Sequence, residues 1–107
     1  IGVFTDETLA ELYVALIDQG DASSTAALVV GATIEDLDIE DIAKMIERTD
    51  DEQARTMYEG LMCGSRNHMR SFVGQLEALG ESYEPQFISP ETLASILAGE
   101  HETCSGS

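Results

Sequence analysis

The sequence predicts an all-α domain: an antiparallel helical bundle of two long central helices with two short helices flanking them. Three observations carry that prediction. Apolar residues recur at steps of three and four over long stretches, the period of one helix face. Residues that start helices (Thr5, Ser23 or Ser24, Thr49, Ser89) and glycines that stop them (Gly20, Gly80) punctuate those stretches. Runs with the two-residue alternation of a strand are few.

The first helix is expected over about 6–19. Thr5 is a good N-cap, Asp6 and Glu7 lie in the positive first turn, and Leu9, Leu12, Tyr13, Leu16 and Ile17 form an apolar face. After a loop at Asp21-Ala22-Ser23-Ser24, the second helix spans about 24–48. Its stripe is Leu28, Ala32, Glu35, Ile39, Ile42 and Ile46, flanked by Ile34, Asp38 and Met45, so two acids stand where apolar residues belong. Asp36, Glu40 and Asp41 read as a solvated face.

The third helix is expected over about 50–79, with a Thr49/Glu52 capping box at its start and a length of roughly 43 Å at 1.5 Å per residue. Its stripe is Met57, Leu61, Ser65, His68, Phe72, Leu76 and Leu79. The tight Thr49-Asp50-Asp51 connection makes the two long helices antiparallel neighbours. Gly60, Gly64 and Gly74 each cost about 1 kcal/mol relative to Ala in a helix and suggest close helix contact or a local irregularity. Arg55, Glu59, Arg66 and Arg70 read as surface ion pairs.

Tyr83 and Phe87 belong to an extended segment expected to cross the bundle. Ser89 at the N-cap with Pro90 at the first helical position announces a last helix over about 90–98. Residues 1–98 thus make a single helical domain. Residues 99–107 make a polar tail expected to be loosely ordered, with His101 exposed in it.

Composition narrows the partners. The 107 residues include 21 acids and 5 bases, a net charge of −16. That charge repels nucleic acid and anionic membranes and favours cations or basic proteins. No apolar run approaches the ~18 residues of a membrane span. Cys63 and Cys104 have no zinc-like spacing, and whether they pair is left open. The chain begins at Ile1 and not at Met, so the expectation is a secreted or processed protein.

The candidate site is Glu35, Asp38 and His68, polar residues facing one helix–helix seam. A carboxylate inside an apolar bundle needs a cation, a metal or hydrogen-bond donors. Carboxylates and histidines projecting inward from bundle helices also hold di-iron and di-manganese centres. Two readings follow: His68 is buried and hydrogen-bonded to Glu35 or Asp38, fixing helix register, or these residues ligate iron or manganese. Glu59 lies nine residues before His68, half a turn away, and needs a π-bulge near Gly60–Gly64 to join them. The serines stand in no nucleophile motif, and no glycine-rich phosphate loop is present.

The blocks VGATIEDLDIEDI, MYEGLMCGSRNHMRSF and YEPQFISPETL resemble the second half of a ferritin-like family of unknown function, from about Phe4 to Ile96. The resemblance implies di-iron carboxylate ancestry, with Glu35 and His68 as ligands. It also implies an N-terminal helix pair with further glutamates and a Glu-x-x-His motif, which this sequence lacks. Ser65 stands where that motif would place its carboxylate. The expected function is a non-enzymatic acidic module that forms a homodimer through an apolar flank and binds cations or a basic partner weakly. The alternative is a metal-binding or iron-oxidising protein whose site a second copy or an N-terminal half completes.

Overall fold

A computed structural model describes residues 11–15, 18 and 24–104 of the chain. The regular structure among these residues is all helical, with no strand. Three helices are complete: α1 (Thr25–Arg48), α2 (Glu52–Ala78) and α3 (Pro90–Ala98). Residues 11–15 and 18 are helical as well. The rest of the helix expected at 6–19, with its Thr5 cap and Gly20 stop, lies outside the described residues. The ring of Tyr13 meets that of Phe72 edge-on, with centroids 5.9 Å apart.

Local chemistry sets each boundary. Ser24 caps α1, its hydroxyl accepting from the Ala27 N–H at 3.2 Å. Asp51, two residues beyond the expected Thr49, caps α2 by accepting from the Gln53 N–H at 3.0 Å. Thr49 closes α1 instead, its own N–H still donating to the Met45 carbonyl at 3.1 Å. α2 ends in a Schellman turn: the Glu81 N–H reaches the Leu76 carbonyl and the Gly80 N–H that of Glu77, both at 2.9 Å. The turn requires a left-handed residue, and Gly80 supplies it with φ +80°. Ser89 caps α3, accepting from the Thr92 N–H at 3.0 Å, with Pro90 following as expected.

α1 and α2 pack along their lengths, and α3 rests on α2. The first two are antiparallel: Gly31 lies against Phe72, Glu35 against His68, and Ile42 shares a cleft with Gly60. Leu28, Ala32 and Ile39 of α1 form the core with Met69, Val73 and Leu76 of α2, Leu93 and Ile96 of α3, and Tyr83 and Ile88 between helices. A Cβ built on Gly31 would stand 2.6 Å from the Phe72 ring. Gly31 is therefore where the long helices need a missing side chain. Gly64 and Gly74 face open space, so of the two expectations for them, close helix contact or a local irregularity, the first does not hold.

Two expectations are corrected. On α2 the buried line is Gly60, Cys63, Ser65, Met69, Val73 and Leu76, while Met57, Leu61, His68 and Leu79 are exposed. The helix is rotated because it is covered from two sides, by α1 on one and by α3 and the chain end on the other. Asp36, expected on a solvated face, is wholly buried. It accepts from the Tyr83 hydroxyl at 2.6 Å, the Gln86 N–H at 2.6 Å, the Phe87 N–H at 3.2 Å and the Ile88 N–H at 2.8 Å. One carboxylate thus satisfies three backbone donors of the segment that carries the chain from α2 to α3. Such dense donation offsets the cost of burying its charge.

Residues 102–104 return to α2, and the pairing of Cys63 with Cys104 that the sequence left open is made. Cys63 and Cys104 form a disulfide across 41 residues, with Cα atoms 5.7 Å apart. Where a loosely ordered tail was expected, Glu102 lies in a fork of arginines. Arg66 donates to both its carboxylate oxygens at 2.7 Å, and Arg70 to one at 2.7 Å. Asn67 brackets the Glu102 backbone, donating to its carbonyl and accepting from its N–H at 2.9 Å each.

Candidate functional site

Of the residues singled out from sequence, Glu35, Asp38 and His68 meet in one place. An open cleft of about 540 Å³ lies between α1 and α2, lined by Glu35, Asp38 and Ile42 from α1, by Leu61, Ser65 and His68 from α2, and by Cys104. Helix geometry puts them there. Positions 35, 38 and 42 lie at i, i+3 and i+7 on α1, and 61, 65 and 68 at i, i+4 and i+7 on α2, so each set forms one face.

His68 Nδ1 stands 3.4 Å from Glu35 Oε2. The two side chains differ sharply in burial, with 12% of Glu35 and 66% of His68 exposed. A buried histidine was expected; the imidazole is instead on the wet rim of the cleft, reaching down to a nearly buried carboxylate. The rotation of α2 that buries Met69 carries its neighbour His68 outward. Asp38 is half-buried on the same wall. Glu59 lies apart, in a groove with Ile46, Met62 and Arg66, and α2 runs through Gly60–Gly64 as regular α-helix.

A dinuclear iron or manganese centre needs several carboxylates and histidines converging on two ions. Among the described residues, no group of three or more His, Cys, Asp or Glu is disposed to hold a metal ion. Ser65 supplies a hydroxyl where a carboxylate would be required. The described donor set does not fit such a centre; it offers an imidazole, an adjacent carboxylate and a further acid along an open wall.

The clearest electrostatic perturbations fall on residues outside the lining of the cleft. The hydrogen bond from Arg66, then that from Arg70, holds the Glu102 carboxyl far below the usual range, at about 2. The same bond to Glu102 raises the Arg66 guanidinium. Burial raises the Tyr83 phenol, and its hydrogen bond to Asp36 raises it further. Sequence reasoning missed Asp36, Glu102 and the place of Cys104 on the cleft wall. A signal for Glu102 was present: Arg66 and Arg70 stand four apart, on one face, in a chain with five bases, and like charges so placed call for an acid between them.

Comparison with known proteins adds a family and a relative. Residues 1–100 match the model of an uncharacterized protein domain, DUF2202. The uncharacterized protein MJ0754 of Methanocaldococcus jannaschii is 51% identical over 102 residues, covering 95% of this chain and 55% of that protein. The crystal structure of that hypothetical protein superposes with a TM-score of 0.75, covering 95% of this chain and 58% of the other. The chain therefore spans little more than half the length of the relative it matches.

Proposed function

The chain belongs to the DUF2202 family of uncharacterised domains, and from that membership and the chemistry of the cleft we propose a non-enzymatic, acidic helical module that binds cations weakly and pairs with a second copy of itself. One observation carries the reading: Glu35, Asp38 and His68, from two facing helices, share one open cleft in a chain of net charge −16. Hard cations choose carboxylate oxygens, and a half-open site with few fixed ligands leaves much of the coordination to water. A basic protein surface is the other partner that this charge favours. Self-association is supported by Met45, Met57 and Leu61, which lie on the two long helices with 40–49% of their surface exposed. A two-fold pairing on that face would bring two clefts together.

The second reading is a ferritin-like protein that binds or oxidises iron or manganese, with Glu35 and His68 as two ligands. It is favoured by the 3.4 Å approach of these side chains across the long helices. The remaining ligands would come from a second copy or from chain beyond these 107 residues. Metal analysis of the purified protein separates the readings. Stoichiometric iron or manganese that is lost in His68→Ala supports the second; weak manganese binding that is lost in Glu35→Gln and indifferent to His68→Ala supports the first. Sedimentation analysis decides the pairing, and a monomer at all concentrations removes it from the proposal.

A further inference from the structure

The disulfide and the bonds that hold Glu102 meet on one face of α2, and neither takes part in the cation reading. Cys63, Arg66, Asn67 and Arg70 stand at i, i+3, i+4 and i+7, a single line along the helix. Residues 102–104 lie on that line. Arg66 and Arg70 clasp the Glu102 carboxylate, Asn67 brackets its backbone, and Cys104 is bonded to Cys63. The two sulfurs differ in access. Cys63 is buried, with Glu102 Oε1 3.8 Å from its Sγ, whereas Cys104 lines the open cleft. An incoming thiolate therefore meets Cys104 first, and the carboxylate repels it from Cys63.

We propose that Cys63 and Cys104 are a reversible redox couple that exchanges with dithiols through Cys104, and that the Glu102 clasp holds the reduced pair ready to close again. In reduction the thiolate of a dithiol attacks the Cys104 Sγ. The disulfide bond breaks, and Cys63 leaves as a thiolate that takes a proton from water. The second thiol of the reductant then attacks the reductant's own sulfur in the mixed disulfide, and Cys104 leaves in turn. The chain gains two electrons and two protons, and the reductant departs as a disulfide. Asn67 Nδ2 stands 3.4 Å from the Cys104 Sγ and supports the thiolate released in this second step. Reclosure runs the same path in reverse, with an oxidised dithiol as the electron acceptor. Glu102 needs no disulfide to bind, because its own bonds go to Arg66, Arg70 and Asn67. Cys104 lies two residues further on, so after reduction it stays within roughly 7 Å of that anchor. Without the clasp the nearest regular structure is the end of α3 at Ala98, six residues and up to roughly 21 Å away. The clasp thus raises the effective concentration of Cys104 at Cys63, which makes Glu102 a positioning residue for the couple.

The couple uses neither Glu35 nor His68, so it and the cation reading can fail separately. The folded protein is equilibrated with mixtures of reduced and oxidised dithiothreitol, and the disulfide fraction is read by thiol trapping and mass spectrometry. A complete, reversible two-electron transition is expected. Glu102→Gln should bring its midpoint to a ratio of reduced to oxidised reagent roughly three- to tenfold lower, since the clasp and the disulfide support each other. Glu102→Asp, one methylene short of the fork, should move it the same way, and circular dichroism verifies that each variant keeps its helices. Brief exposure to a monothiol should leave the mixed disulfide on Cys104. Reduction that occurs only in denaturant overturns the couple. A midpoint unmoved in both variants overturns the clasp, and an adduct on Cys63 overturns the order of attack.

Discussion

Asp36 is the residue on which the connection between α2 and α3 depends. Replacing it by Ala leaves the Tyr83 hydroxyl and three backbone donors without their acceptor inside the protein. The expected loss is roughly 2–5 kcal/mol, read from denaturant unfolding, because each stranded buried donor keeps its desolvation cost. Tyr83→Phe removes one donor and leaves the carboxylate three others, so about 1 kcal/mol is expected. Glu102 gives a pH signature of known sign. Its folded pKa, about 2, lies below the ordinary 4.5, so its contribution is complete above pH 4.5 and fades as the pH falls toward 2. Unfolding followed across that window should show a slope that Glu102→Gln diminishes.

Among the elements, α1 and α2 make opposite use of glycine. Gly31→Ala should destabilise the protein by about 1–3 kcal/mol despite Ala's better helix propensity, because the new methyl meets the Phe72 ring at 2.6 Å. Gly74→Ala, into open space on α2, should stabilise by up to about 1 kcal/mol. Thermal unfolding of the two variants should move in opposite directions. Apolar spacing is also what misplaced the face of α2. Met57, Leu61, His68 and Leu79 keep helical register with one another, but a helix covered on two sides buries the arc between its two neighbours. That arc runs through Met69 and Val73, and the strongest apolar line becomes a rim.

For the molecule as a whole, the disulfide closes a loop of 41 residues. Loop-closure entropy alone assigns it about 4 kcal/mol, so reduction should lower the thermal midpoint while far-ultraviolet circular dichroism below that midpoint remains helical. The core explains why the helices persist: Leu28, Ile39, Met69, Leu76, Leu93 and Ile96 cluster without contribution from either cysteine. Net charge acts at the same scale. With −16 on 107 residues, self-repulsion opposes folding, and raising salt from millimolar to about 0.15 M should raise the midpoint as the screening length falls to about 8 Å.

By itself the sequence determined the helical class, the ends of the two complete long helices to within about two residues, the short helix 90–98, and the convergence of Glu35, Asp38 and His68 on one seam. These follow from local rules: period, caps, the glycine stop and a connection too short for anything but a hairpin. Tertiary structure decided how far each helix turns about its axis, and so that His68 stands in water while Asp36 does not. It also decided that Glu102 and Cys104 return to α2. Such outcomes depend on contacts between residues 30 to 50 positions apart, which no local pattern encodes; burial is a property of what covers a face, and spacing along one helix is silent about its neighbours.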